Sequence, residues 1–216
     1  MVLLHCWVSL AIVLLDNLNY VFMKKIICVA MITVVSVFIA KAQHTQFGVK
    51  AGLNSSTINI ENAQDLESIL GFHVGGLAHI HISPHFAVQP EIVYSAQGGE
   101  TQNNGKVKLG YINVPVLAQY MFDKGFRLQT GPQVGFLTSA EVKTDDDVEV
   151  DIDDQYKSID FAWVFGGGYL FNSGLGIDAR YNLGLSNIRD RPDYEGQNRV
   201  FQVGLFYQFK PARRHK

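Results

Sequence analysis

Between residues 175 and 186, apolar and polar side chains alternate without a break. Leu175, Ile177, Ala179, Tyr181, Leu183 and Leu185 share one face, and Gly176, Asp178, Arg180, Asn182, Gly184 and Ser186 share the other. A period of two is that of a β-strand, whose successive side chains point to opposite sides. Phe72, Val74, Gly76, Ala78, Ile80 and Ile82 alternate in the same way with His73, Gly75, Leu77, His79 and His81. So do Phe126, Leu128, Thr130, Pro132, Val134 and Phe136 with Arg127, Gln129, Gly131, Gln133 and Gly135. Phe201, Val203, Leu205, Tyr207 and Phe209 repeat it against Gln202, Gly204, Phe206 and Gln208. No window after Gln43 sustains a helical period. The pattern predicts eight strands, near 44–54, 70–83, 86–98, 107–122, 125–140, 158–171, 174–187 and 199–210.

The connections order these strands. Ser83-Pro84-His85, Asp123-Lys124-Gly125 and Asn172-Ser173-Gly174 are tight, whereas 55–69, 99–106, 141–157 and 188–198 are long and polar. Long and short connections alternate strictly, as in membrane barrels with short periplasmic turns and longer external loops. The expected fold is all-β: an eight-stranded antiparallel up-and-down transmembrane β-barrel. A soluble lipocalin-type barrel, a ligand binder, would keep its apolar face inside. Here the polar face is also the one rich in glycine, as a narrow lumen requires. Phe72, Phe86, Tyr94, Tyr120, Phe122, Phe126, Phe161, Trp163, Tyr169, Phe171, Tyr207 and Phe209 fall near strand ends, where interfacial girdles sit.

The N-terminal region lies outside this pattern. Lys24 and Lys25 precede an apolar run from Ile26 to Ile39, and Ala40-Lys41-Ala42 follows as a small-x-small cleavage pattern. Residues 23–42 therefore read as a signal peptide cut between Ala42 and Gln43. Residues 1–22 read as an upstream extension before the true start at Met23, because the later signal is complete by itself; the alternative, a transmembrane helix, is broken by Asp16, Asn17 and Asn19 short of a membrane span. The barrel domain is then 43–216. Both cysteines, Cys6 and Cys28, precede Gln43, so cleavage there would leave no cysteine for a disulfide framework, a cysteine zinc site or a catalytic thiol. Cys28 comes before its apolar run, the wrong order for lipidation. Charged residues are only 18% of the chain and net charge is −2, so no nucleic-acid partner is expected.

Candidate chemistry lies on the inner face and in one loop. Glu91, Arg127, Asp178 and Arg180 are expected in the lumen, where they must pair because an isolated buried ion is costly. Eight strands leave an interior that side chains can fill, which favours a hydrogen-bonded plug over an ion path. His73, His79 and His81 share a face, with His85 past the turn. Positions two apart lie about 7 Å from each other; metal binding is the sharper reading, polar filling near the periplasmic end the blander. Asp145, Asp146, Asp147, Glu149, Asp151, Asp153 and Asp154 crowd one external loop. They could hold Ca²⁺, but lack the spacing of a calcium-binding loop, so a solvated loop bridged to lipopolysaccharide by divalent ions is the alternative. Gly166-Gly167-Gly168 precedes no helix and so is no phosphate loop; it gives a bend or room for bulky neighbours. No cofactor is expected.

Six segments also resemble the PorT-like outer-membrane β-barrel proteins of Bacteroidetes: FGVKAGLN (47–54), YINVPVLAQY (111–120), GPQVGFL (131–137), DFAWVFGGGYLF (160–171), RYNLGLSNI (180–188) and FQVGLFYQF (201–209). The resemblance implies an outer-membrane location and recognition of the last strand by barrel-assembly machinery, although Lys210 to Lys216 extend beyond the final aromatic residue. Its name-giving member is similar to an accessory protein of type IX secretion, and no catalytic motif transfers from it. The expectation is a non-enzymatic structural, adhesive or secretion-accessory protein in the outer membrane, with both termini periplasmic. Its partners would be lipid, lipopolysaccharide and surface or secretion components. A rim-located enzyme is the alternative from another class.

Overall fold

The computed structural model describes residues 45–60, 67–100, 105–143, 149–152, 155–189 and 196–209. The cleavage site at Ala42 and Gln43, the segments before it, and Asp145, Asp146, Asp147, Asp153 and Asp154 lie outside the described residues.

Among the described residues nine strands form: β1 (Thr45–Ile60), β2 (Ile69–His81), β3 (Phe86–Glu100), β4 (Lys106–Met121), β5 (Phe126–Lys143), β6 (Glu149–Asp151), β7 (Ile159–Leu170), β8 (Leu175–Gly184) and β9 (Gly196–Gln208). All pairs are antiparallel. Neighbours run β4-β3-β2-β1-β9-β8-β7-β5, and β4 pairs with β5 to close the ring. The three-residue strand β6 adds to the far end of β5, outside the ring of eight.

The tight turns follow from their residues. Phe122 N–H donates to Phe126 O (2.8 Å) and Gly125 N–H to Phe122 O (3.2 Å), with Gly125 at φ +88°. Phe171, Gly174 (φ +94°) and Leu175 repeat the arrangement. A three-residue hairpin loop requires a left-handed residue at this position, which glycine adopts without strain. Gly125→Ala should therefore lower stability by about 1–2 kcal/mol, since its Cβ would also meet Leu170 O. Equilibrium unfolding in urea measures it, and an unchanged midpoint would count against the strained turn.

The apolar face points outward. Phe47, Val49, Leu53, Ile92, Leu128, Phe165, Ile177, Val203 and Leu205 are all exposed, while Lys50, Asn54, Gln89, Glu91, Gln129, Asp178, Arg180 and Gln202 are buried inside. Only lipid rewards this arrangement, the inverse of a soluble lipocalin-like barrel. One lipid-facing polar pair is bonded through to the backbone: Trp163 Nε1 donates to Thr130 Oγ1 (2.8 Å), which donates to Val164 O (3.0 Å). Phe86, Tyr120, Phe122, Phe126, Tyr169, Phe171, Tyr207 and Phe209 form edge-to-face and tilted pairs around the short-turn end. Phe72 and Tyr94 pair toward the other.

The strands run further than their polarity suggests. Residues 55–60 belong to β1 and 141–143 to β5, rather than to the loops expected at 55–69 and 141–157. At ~3.3 Å per residue and ~40° tilt, the 16 residues of β1 climb roughly 40 Å, well past a ~25 Å apolar band. Beyond that band the faces exchange character. Ser55, Thr57 and Asn59 take the outer face while Ile58 and Ile60 are buried inside. Water now lies outside, so apolar groups turn inward. Ile58, Ile60, Val107, Leu109, Tyr111, Ala140, Tyr156 and Ile188 form one apolar cluster, with Leu137, Val142 and Ile152 packed against it.

One bulge makes this possible. Gly110 pairs with Ser139 but Tyr111 pairs with Leu137, so Thr138 is an extra residue on β5. An extra residue reverses the alternation beyond it. Ala140 and Val142 thereby oppose Leu109 and Val107 on the inner side, and Glu141 opposes Lys108.

Candidate functional site

Alternation places six ionic side chains in the lumen of the described residues: Lys50, Glu91, Arg127, Asp160, Asp178 and Arg180. Four of them meet at mid-height. Arg180 Nη1 donates to Glu91 Oε2 and Nη2 to Glu91 Oε1, both at 2.7 Å, a two-point contact of guanidinium on carboxylate. Arg180 Nε lies 2.8 Å from Asp178 Oδ2. Lys50 Nζ donates to the same oxygen at 3.0 Å and lies 3.6 Å from Glu91 Oε2. Two cations and two carboxylates neutralise one another. Gln89 Nε2 donates to Glu91 Oε1 (2.6 Å), and Gln129 Oε1 accepts from Arg180 Nη2 (3.2 Å) and Gln119 Nε2 (2.8 Å).

Glycine supplies the space. A Cβ on Gly166 would stand 2.8 Å from Arg180 Cγ, and one on Gly168 3.1 Å from Asp178 Cβ. Two of the three consecutive glycines therefore leave room for the bulky pair on β8. His73 is accommodated likewise between Gly52 and Gly204.

The expected lumen residues Glu91, Asp178 and Arg180 are brought together. Arg127 makes no direct ion pair with them: it is buried over the ring of Phe206, 5.4 Å from the centroid, and feels the charge of Asp178 across Gly168. Lys50 and Asp160 complete the set of buried ionic groups and are not among the expected residues, although the same alternation marks both. Lys50 stands between outward Val49 and Ala51, and Asp160 before outward Phe161. Asp160 accepts from Ser186 Oγ (2.8 Å) and Asn198 Nδ2 (3.1 Å).

The histidines do not converge on a metal. His73 Nδ1 bonds Asn54 Oδ1 (2.7 Å), far up the strand from His79, whose Nδ1 bonds Gln89 Oε1 (3.2 Å). His79 and His81 meet edge to face at 4.5 Å. Among the described residues no three His, Cys, Asp or Glu side chains are arranged to hold a metal ion. The reason is pleat and tilt: residues six apart on one strand are separated by about 20 Å. His73 thus sits at mid-lumen rather than at the turn end. In the acidic segment only Glu149 and Asp151 fall within a described element, β6, paired with Lys143 and Glu141.

Known proteins agree with this architecture. Residues 41–190 match the family model described as outer membrane protein beta-barrel domain. Neisserial surface protein A superposes with a TM-score of 0.57 at 14% identity, over 76% of this chain and 97% of that one. Ail, the attachment invasion locus protein of Yersinia pestis, does so with a TM-score of 0.50 at 14% identity, over 76% and 98%. No curated protein matches by sequence. At such identities the structures speak for the fold alone, whereas the family model covers most of the chain. The chain is a small β-barrel of the outer membrane and belongs to the outer membrane protein beta-barrel domain family.

Proposed function

We propose that this protein is a structural or adhesive component of the outer membrane, acting through the surface its long strands carry above the lipid, and that it is neither a diffusion pore nor an enzyme. The carrying observation is the interior. A neutral four-residue ion cluster fills mid-lumen, and the apolar cluster around Ile58, Leu109, Tyr111 and Ile188 lies above it. An eight-stranded lumen so filled has no continuous wet path. Short turns in the periplasm and long connections outside suit this role, with both termini periplasmic after cleavage between Ala42 and Gln43. The names of the similar structures, a surface protein and an attachment protein, point the same way.

The purified barrel is expected to give no stepwise conductance in planar bilayers. Cells lacking it should keep their permeability to small solutes while attaching less well to surfaces. Discrete conductance steps would overturn the reading. The resemblance to PorT-like proteins supports a second one, an accessory role in type IX secretion. Retention of secreted cargo in the deletion strain, with attachment unchanged, would favour it. A rim enzyme would need Ser, His and carboxylate groups converging externally, whereas His85 pairs with Asp123 at the turn end (3.4 Å).

A further inference from the structure

The buried charges are neutral in sum but unevenly placed. Lys50, Glu91, Asp178 and Arg180 cancel at mid-lumen, which leaves Asp160 toward the external end and Arg127 toward the turns. Asp160 can take up a proton. Arg127 cannot lose one.

Arg127 is 4% exposed, yet its Nε and Nη1 have no hydrogen-bond partner. The carboxylates of Glu91 and Asp178 are already held by Arg180 and Lys50. Asp123, close by in sequence, is solvent-exposed beside His85. The Phe206 ring, laid over Gly176, faces the guanidinium, and Asp178 and His79 lie within reach of its charge without bonding to it. A π face attracts the charge but satisfies none of its in-plane N–H donors. Two residues along the same face of β9, Gln208 is 3% exposed and its amide Nε2 and Oε1 are also unpartnered. Arg127 is the second residue of β5 and Gln208 the last of β9, so both sit at the turn end. A permanently charged, buried guanidinium with bare donors, whose nearest carboxylate in the row, Asp178 across Gly168, is already bonded by Lys50 and Arg180, is complementary to an oxyanion.

We propose that the turn end of the lumen is a binding site for a small free oxyanion of the phosphate or sulfate class, centred on Arg127, with the Gln208 amide as a further donor. In the proposed orientation the ion enters from the periplasm. The site rests on the barrel interior and holds whether or not the external surface is adhesive.

The test is calorimetric titration of the mature chain with sodium sulfate, in maltoside detergent free of lipid phosphate, at constant ionic strength. One sulfate per chain is expected, lost in Arg127→Met. Arg127→Lys, which keeps the charge and hence the fold but not the planar donor fork, should bind about tenfold more weakly. Absence of binding in the wild type, or equal binding in both variants, would overturn the proposal and leave water or the outer surface as the only partner. In phospholipid nanodiscs the stoichiometry should be unchanged; its loss there would overturn the free ion in favour of a headgroup phosphate.

Discussion

Glu91→Gln is expected to destabilise the barrel by about 3–5 kcal/mol, the usual cost of removing one member from a buried ion pair. The geometry explains why the effect should lie at the high end. Glu91 is 2% exposed and is the acceptor for both Arg180 terminal nitrogens and for Gln89, with Lys50 at 3.6 Å. The amide keeps the shape but removes the charge, so Lys50 and Arg180 would share Asp178 alone. Urea unfolding followed by loss of the heat-shifted gel band measures the change. The double variant Glu91→Gln, Lys50→Met restores neutrality and should recover part of the loss, because one buried cation is removed with its partner. If the single and double variants were equally unstable, the cluster would matter for shape rather than for charge balance.

Inserting one alanine after Ser139 should be nearly as damaging, but only at one end. The insertion adds to β5 a second residue beyond the one that the bulge at Thr138 accommodates, and it reverses every later position. Ala140 and Val142 would turn to water, and Glu141 and Lys143 would turn into the apolar cluster of Ile58, Leu109, Tyr111 and Ile188. Burying either charge there costs at least about 3 kcal/mol, so that part of β5 should detach from β4 instead. The membrane-spanning part, from Phe126 to Phe136, keeps its register with Tyr169 to Ile159. The expected result is a barrel that still shifts on gels but is cut rapidly by protease between β5 and β7, with faster amide exchange in residues 106–111. Unchanged protection would mean that the bulge absorbs a second residue and does not set the faces beyond it.

Both effects rest on features of different legibility. The charges of Glu91, Asp178 and Arg180 are visible on the inner face of their strands as soon as period two is recognised, and Lys50 and Asp160 obey the same rule. That they meet is not visible: Lys50 and Asp178 are 128 residues apart, and Arg180 and Glu91 are 89 apart. Alternation says which face a side chain takes. The stagger of one strand against the next, which sets height in the lumen, decides who is opposite whom. Arg127 shares a row with Asp178, with Gly168 between them, yet Asp178 is taken by Lys50 and Arg180, and the guanidinium packs on Phe206.

The sequence by itself determined the eight strands of the ring, the short turns between them, and the inversion of polar and apolar faces that marks a membrane barrel. These are local properties, carried by neighbours in the chain. Only the tertiary structure decided that the strands rise above the lipid and exchange their faces there. Ser55 to Ile60 read as a polar connection because nothing local says where lipid ends and water begins. Once closure places them above the aromatic ring, the same alternation builds an apolar core inside a watered surface, since the hydrophobic effect follows the solvent and not the strand.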